Sequence, residues 1–124
     1  MGYKLGTRSL QNLSGVHPDL VAVVKRAIEI TDQDFTVIEG MRDISRQRQL
    51  VKSGASTTMN SRHLTGHAVD IAPWPISWEW AEFYPIADAM KQAAKELYVN
   101  LEWGGDWKSF PDGPHFQLSR KAYP

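Results

Sequence analysis

Apolar residues recur at helical spacing early in the chain. Leu20, Val23, Val24, Ala27 and Ile28 give one apolar face that runs to about Ile30. His17-Pro18-Asp19 opens this helix, since proline suits a first helical position and an acid suits the positive helix end. Asp32-Gln33-Asp34 breaks the pattern. Residues 35–39 are short and β-rich, a predicted strand closed by Gly40. A polar helix is predicted over 43–52, stopping near Ser53-Gly54, and the Ser/Thr-rich stretch 55–62 reads as a loop. Residues 68–72 are apolar around one aspartate, a buried strand ended by Pro73-Trp74-Pro75. A long helix follows to about Tyr98, starting at Trp78 or at Pro85, with Ile86, Met90, Ala93 and Leu97 as its stripe. Two short strands are predicted, near 100–103 and 115–118, with glycine-rich turns around them. Residues 1–16 are polar, with Leu10 and Leu13 as their anchors to the core. Sparse, interspersed helices and strands predict a small α+β domain with a mostly antiparallel sheet.

Composition narrows the class. The chain has 124 residues, 42% of them hydrophobic, which predicts a single globular domain spanning 1–124. Zero cysteine excludes a disulfide scaffold, a thiolate nucleophile and any zinc site that needs sulfur. Fourteen basic against fourteen acidic residues argue against bulk electrostatic binding to nucleic acid or anionic lipid. The longest apolar run, 20–24, is far short of a membrane span, and no apolar segment follows the basic N-terminus. The expectation is a cytoplasmic protein without a signal peptide or stable membrane insertion.

The segment from Ser61 to Asp70 carries most of the chemistry. On the strand, Ala68, Asp70 and Ala72 share one face, and a carboxylate there is costly unless compensated. A metal ion or a buried cation would compensate it; alternatively the strand is an edge and Asp70 faces water. His115, between Pro114 and Phe116, favours the metal. With His63 and Asp70 it completes two imidazoles and one carboxylate, a three-ligand zinc set with one position open, as in catalytic sites. Asp112, in Asp-x-x-His spacing with His115, is the candidate base, ahead of Asp106 and Glu102. His63 and His67 stand four apart, as in the zinc-binding His-Glu-x-x-His helix. Leu64 replaces the glutamate, however, and Gly66 followed by a β-rich run argues against a helix, so His67 is assigned a supporting or cleft position. Arg42, emerging from a strand end, is a candidate for holding a substrate carboxylate or stabilising an oxyanion. Trp103 and Trp107 flank Gly104-Gly105-Asp106 and are candidates for a cleft wall.

Ser61-x-His63-x-x-Gly66-x-Ala68-x-Asp70, then Trp103-Gly104-Gly105-Asp106-Trp107 and Asp112-x-x-His115-Phe116, resembles the D-alanyl-D-alanine carboxypeptidase-like (VanY-like) zinc peptidases. Within that group the pattern is most similar to phage endolysins that are L-alanyl-D-glutamate peptidases, and the similarity covers nearly the whole chain. The resemblance implies zinc held by His63, Asp70 and His115, acid/base work by Asp112, Arg42 near the substrate carbonyl or carboxylate, and a supporting hydrogen bond from Ser61. Many family members carry Glu where Asp112 stands, and the shorter side chain favours the endolysin branch. It implies an antiparallel sheet cradling the metal, and hydrolysis of the peptidoglycan peptide stem at the L-Ala–D-Glu bond. A monomer released to the wall by a holin-like partner is expected. The alternatives are a D,D-carboxypeptidase or dipeptidase acting on D-Ala-D-Ala ends, and a non-catalytic zinc-stabilised wall-binding module.

Overall fold

The computed structural model describes residues 2–56 and 58–124. Its first element, helix α1 (Thr7–Asn12), lies where the sequence predicts only a polar segment. Six residues without an apolar stripe cannot hold a helix by themselves. Here the stabilisation comes from strand β1 (Phe35–Glu39), whose outer edge α1 covers. Ser9 is buried and its Oγ accepts the Val37 N–H at 3.0 Å, while the Asn12 amide donates to the Val37 carbonyl at 2.8 Å. An open strand edge is thereby closed by side chains. Leu13 is buried as expected, but Leu10 is 50% exposed.

Helix α2 (Pro18–Ile30) begins at the predicted proline, with His17 Nδ1 accepting the Asp19 N–H at 3.0 Å as the cap. All five residues of its predicted stripe are buried. Helix α3 (Ile44–Lys52) is capped by Asp43, whose carboxylate accepts the Arg46 N–H at 2.7 Å. A 3₁₀ turn over Arg62–Thr65 leads through Gly66, at φ 74°, into strand β2 (Ala68–Pro73). Helix α4 (Trp80–Glu96) starts between the two predicted positions and runs through Pro85. Proline there forfeits the bond to the Ala81 carbonyl in the first turn of the helix, and Ala81 is exposed to solvent. Ile86, Met90 and Ala93 are fully buried; Leu97, predicted to continue the stripe, ends the helix and is 41% exposed. Strands β3 (Leu101–Trp103) and β4 (His115–Leu118) complete the fold.

The four strands form one antiparallel sheet in the order β1-β2-β4-β3. Val37, Ile71, Val69 and Phe116 turn to the face packed with α2 and α4, where the apolar core is one continuous cluster. The opposite face carries Asp70, His115 and Gln117, with the segment between β1 and β2 beside it. The sheet register brings Glu39 opposite Asp70 and Asp70 opposite His115, a row of three polar residues across β1, β2 and β4. Strict alternation along β1 would not put Glu39 there. The register slips by one between Val37 and Glu39, and that bulge turns Glu39 to the polar face.

Candidate metal centre and active site

Ser61 starts the assembly. Its Oγ accepts the His63 N–H at 3.2 Å and caps the 3₁₀ turn, which places the His63 ring against the polar face of the sheet. The turn ends on Gly66, where a side chain would be strained by the positive φ and would strike the Gly15 carbonyl. His63 and His115 are buried, and their rings meet edge to face at 5.1 Å. Asp70 Oδ1 lies 3.3 Å from His63 Nε2 and 3.3 Å from His115 Nδ1. One donor atom from each residue falls within 4.8 Å of the other two.

The far side of each ring is held as well. His63 Nδ1 sits 2.8 Å from the Gly40 carbonyl, and His115 Nε2 sits 2.8 Å from Gln117 Oε1. A carbonyl oxygen only accepts, so the Gly40 contact requires the proton on His63 Nδ1; the Gln117 oxygen likewise calls for it on His115 Nε2. The two lone pairs then face Asp70 and one another, as metal ligation requires. Gly40 lies against α1, and a side chain there would collide with the Asn12 carbonyl and displace the strand end that bears this acceptor.

Asp70 Oδ1 is buried and, although both imidazole nitrogens lie close, makes no aligned hydrogen bond. A buried carboxylate oxygen left this way is expensive, and a cation between the three donors removes the cost. Donors of a tetrahedral site at ~2.0–2.1 Å from the ion stand roughly 3.3 Å apart, which matches the spacing about Asp70. The residues therefore fit a metal ion. Burial alone would push the Asp70 carboxyl up, but the side chains of His115 and His63 outweigh it and hold it well below the usual carboxylate range.

A cavity of 780 Å³ opens over this cluster, with Asp112, Trp107, Arg42 and Arg120 among its walls. Asp112 stands exposed at the rim, on a loop anchored by its own N–H to the Gly104 carbonyl at 2.9 Å. Desolvation by the surrounding walls, then the nearby charge of Asp70, raise its pKa above the usual value. Trp107 tilts against the His115 ring at 5.1 Å.

A family model for the phage L-alanyl-D-glutamate peptidases matches residues 1–121. The chain belongs to this family. An L-alanyl-D-glutamate peptidase of Escherichia phage T5 is 35% identical across 99% of this chain and 94% of its own length. One of Listeria phage A118 is 32% identical over 94% of this chain, which spans 43% of that longer relative. The crystal structure of the Serratia marcescens L-Ala D-Glu endopeptidase ChiX superposes with a TM-score of 0.91 at 50% identity, covering 95% of this chain and 91% of that one.

The arrangement in this member of the family differs in places from the sequence expectation. Arg42 is buried and heavily engaged. Nε and Nη2 donate to the two Glu39 oxygens at 2.8 and 2.7 Å, and Nη1 donates to Gln47 Oε1 at 2.7 Å and Ser61 Oγ at 3.4 Å. Of its five N–H groups one is left, on the Nη2 that stands 3.8 Å from Asp70 Oδ2. That is enough for one hydrogen bond to a substrate oxygen, not for a two-pronged grip on a carboxylate. Trp103 is buried and stacks on Phe116; its Nε1 donates to the Gly113 carbonyl at 2.7 Å, so it steadies the Asp112 loop and does not wall the cavity. His67 lies outside the cavity lining, against His17 and 2.6 Å from Thr65 Oγ1. Glu39, Gln47 and Gln117 belong to no motif that marks them in the sequence. Gln117 was within reach of sequence reasoning, since a residue two beyond His115 on a strand shares its face.

Proposed function

We propose that this peptidase is a zinc-dependent endolysin that hydrolyses the L-Ala–D-Glu bond in the peptide stem of bacterial peptidoglycan. The observation that carries the reading is the convergence of His63, Asp70 and His115 about a buried, unbonded Asp70 oxygen in the cavity that Asp112 rims. With two imidazoles and one carboxylate as ligands, zinc would keep net positive charge, lower the pKa of water at the open position and polarise the scissile carbonyl.

The protein's own groups do the rest. Asp112 takes the proton of the attacking water and returns it to the leaving amine, work that suits a carboxyl whose pKa is raised above its ordinary value. The remaining Nη2–H of Arg42, held in place by Glu39 and Gln47, is available to the oxygen that gains charge. Ser61 fixes both the His63 turn and an Arg42 nitrogen. We further infer that the monomeric chain, one catalytic domain over 1–124, remains in the host cytoplasm until a holin-like partner gives it access to the wall. The phage relatives support this, and no described helix is long and apolar enough to cross a membrane.

Digestion of purified peptidoglycan with the zinc-loaded protein, followed by mass analysis, tests the reading. New D-Glu amino termini are the expected product; free D-Ala would assign it to the D,D-carboxypeptidases instead. Asp112→Ala should bind zinc as the parent does and lose about 10²- to 10⁴-fold in rate. Undiminished hydrolysis would remove Asp112 from the mechanism.

A further inference from the structure

The cavity over the metal ligands has three arginines among its walls: Arg42, Arg62 and Arg120. Two are buried and tied to the protein itself. Arg42 has four of its five N–H groups committed to Glu39, Gln47 and Ser61. Arg62 is buried, and its Nη2 donates to the backbone carbonyls of Leu118 and Tyr123. Arg120 differs from both. It is exposed at the cavity wall just beyond β4, its Nη2 donates to the Asn60 carbonyl at 2.9 Å, and it forms no ion pair with any acid among the described residues. That one anchor to the loop opposite restrains the guanidinium and leaves Nε and Nη1 free to donate. Arg120 also lies near enough to Arg62 for its charge to oppose that of the buried guanidinium, after burial itself, and the Glu102 carboxylate acts on Arg62 in the opposite sense without pairing with Arg120. The free N–H groups of Arg120 at the cavity wall offer a planar, charged donor edge to an anion held in the cavity.

The substrate supplies such an anion. A D-glutamyl residue has two carboxyl groups besides its amine, so a stem that continues through one of them leaves the other as a free carboxylate. That group lies on the leaving side of the scissile amide, one residue from the reacting carbonyl. We propose that Arg120 is the specificity-determining residue that pairs with the free carboxylate of this D-glutamyl residue. The proposal rests on the peptidase reading above and assigns the carboxylate grip, which Arg42 is too committed to provide, to a different arginine.

Two matched synthetic stem peptides test it, one with the free carboxylate and one carrying a primary amide in its place. The parent protein should cleave the acid about 10- to 100-fold better in kcat/KM, the range of a hydrogen bond to a charged group, and chiefly through KM. In Arg120→Ala that ratio should fall toward one, and Arg120→Lys should restore part of it. Zinc binding by both variants, followed by titration, should match the parent. A preference that survives in Arg120→Ala, an equal loss on both peptides, or a loss of zinc would each overturn the assignment. Cleavage of neither peptide by the parent would instead overturn the peptidase reading on which it rests.

Discussion

Gln117 matters because an imidazole has two nitrogens and only the unprotonated one can bind a metal. His115 offers Nδ1 to the cluster, so its proton must rest on Nε2, and the Gln117 oxygen at 2.8 Å is what receives it. Both residues are buried, so water is a poor substitute. Gln117→Leu should therefore weaken zinc binding about 10- to 100-fold, while Gln117→Glu, which keeps the acceptor, should bind near the parent affinity. Competition with a chromogenic chelator measures both; equal affinities in parent and Gln117→Leu would dismiss the tautomer argument. At this scale the three residues that could hold a metal were legible in sequence because cysteine is absent and histidine is scarce, four in the chain. The partners of those residues were less so. Glutamine is usually a surface residue, and the Gly40 carbonyl that orients His63 belongs to the backbone, which has no signature of its own.

Between elements, β2 and β4 are joined at Asp70 and His115 by sheet register and by charge as well. In the metal-free chain Asp70 is held below its ordinary value of 3.8. His115 is raised above 6.5, because the Asp70 carboxylate beside it outweighs the burial that alone would lower it. A carboxylate depressed on folding contributes stability above its unfolded pKa, and loses it as pH falls through the folded one. An imidazole raised on folding contributes below its unfolded pKa, and loses it as pH rises through the folded one. Both contributions are complete only between about pH 4 and 6.5, so the Tm measured in chelator should peak there and decline as pH rises beyond 6.5. A steady climb to pH 8 would show that the pair does not tie the strands in this way. The helices and strands bearing these residues follow from periodicity, and α2 matches its apolar stripe throughout. Periodicity fails where a tertiary contact overrides it. The β1 bulge turns Glu39 to the site, and the polar helix α1 persists because Ser9 and Asn12 satisfy a strand edge.

Across the whole molecule, the ligand cluster is a junction that closes loops distant in sequence. His63 comes from a 3₁₀ turn, Asp70 from the second strand and His115 from the last, so no fragment holding one of them can assemble the site alone. The unfolded chain has no such convergence, and binding free energy must therefore appear as folding free energy. With free zinc at 100 times Kd the gain is about 2.7 kcal/mol, and for a domain of this size that raises Tm by roughly 10 °C. Removal by a chelator should reverse the shift. Acidification should shrink it, since protons compete for the imidazole nitrogens that the metal needs. Asp70→Ala separates this linkage from non-specific stabilisation by salt. Without the carboxylate the two imidazoles remain, but the charge that favours a cation over the pocket is gone, and the zinc-dependent rise should vanish. Arg120→Ala, in contrast, leaves all three ligands and their hydrogen-bond partners in place, so its zinc-dependent rise should equal the parent's. A rise of equal size in Asp70→Ala would mean that zinc stabilises the fold from somewhere other than this cluster.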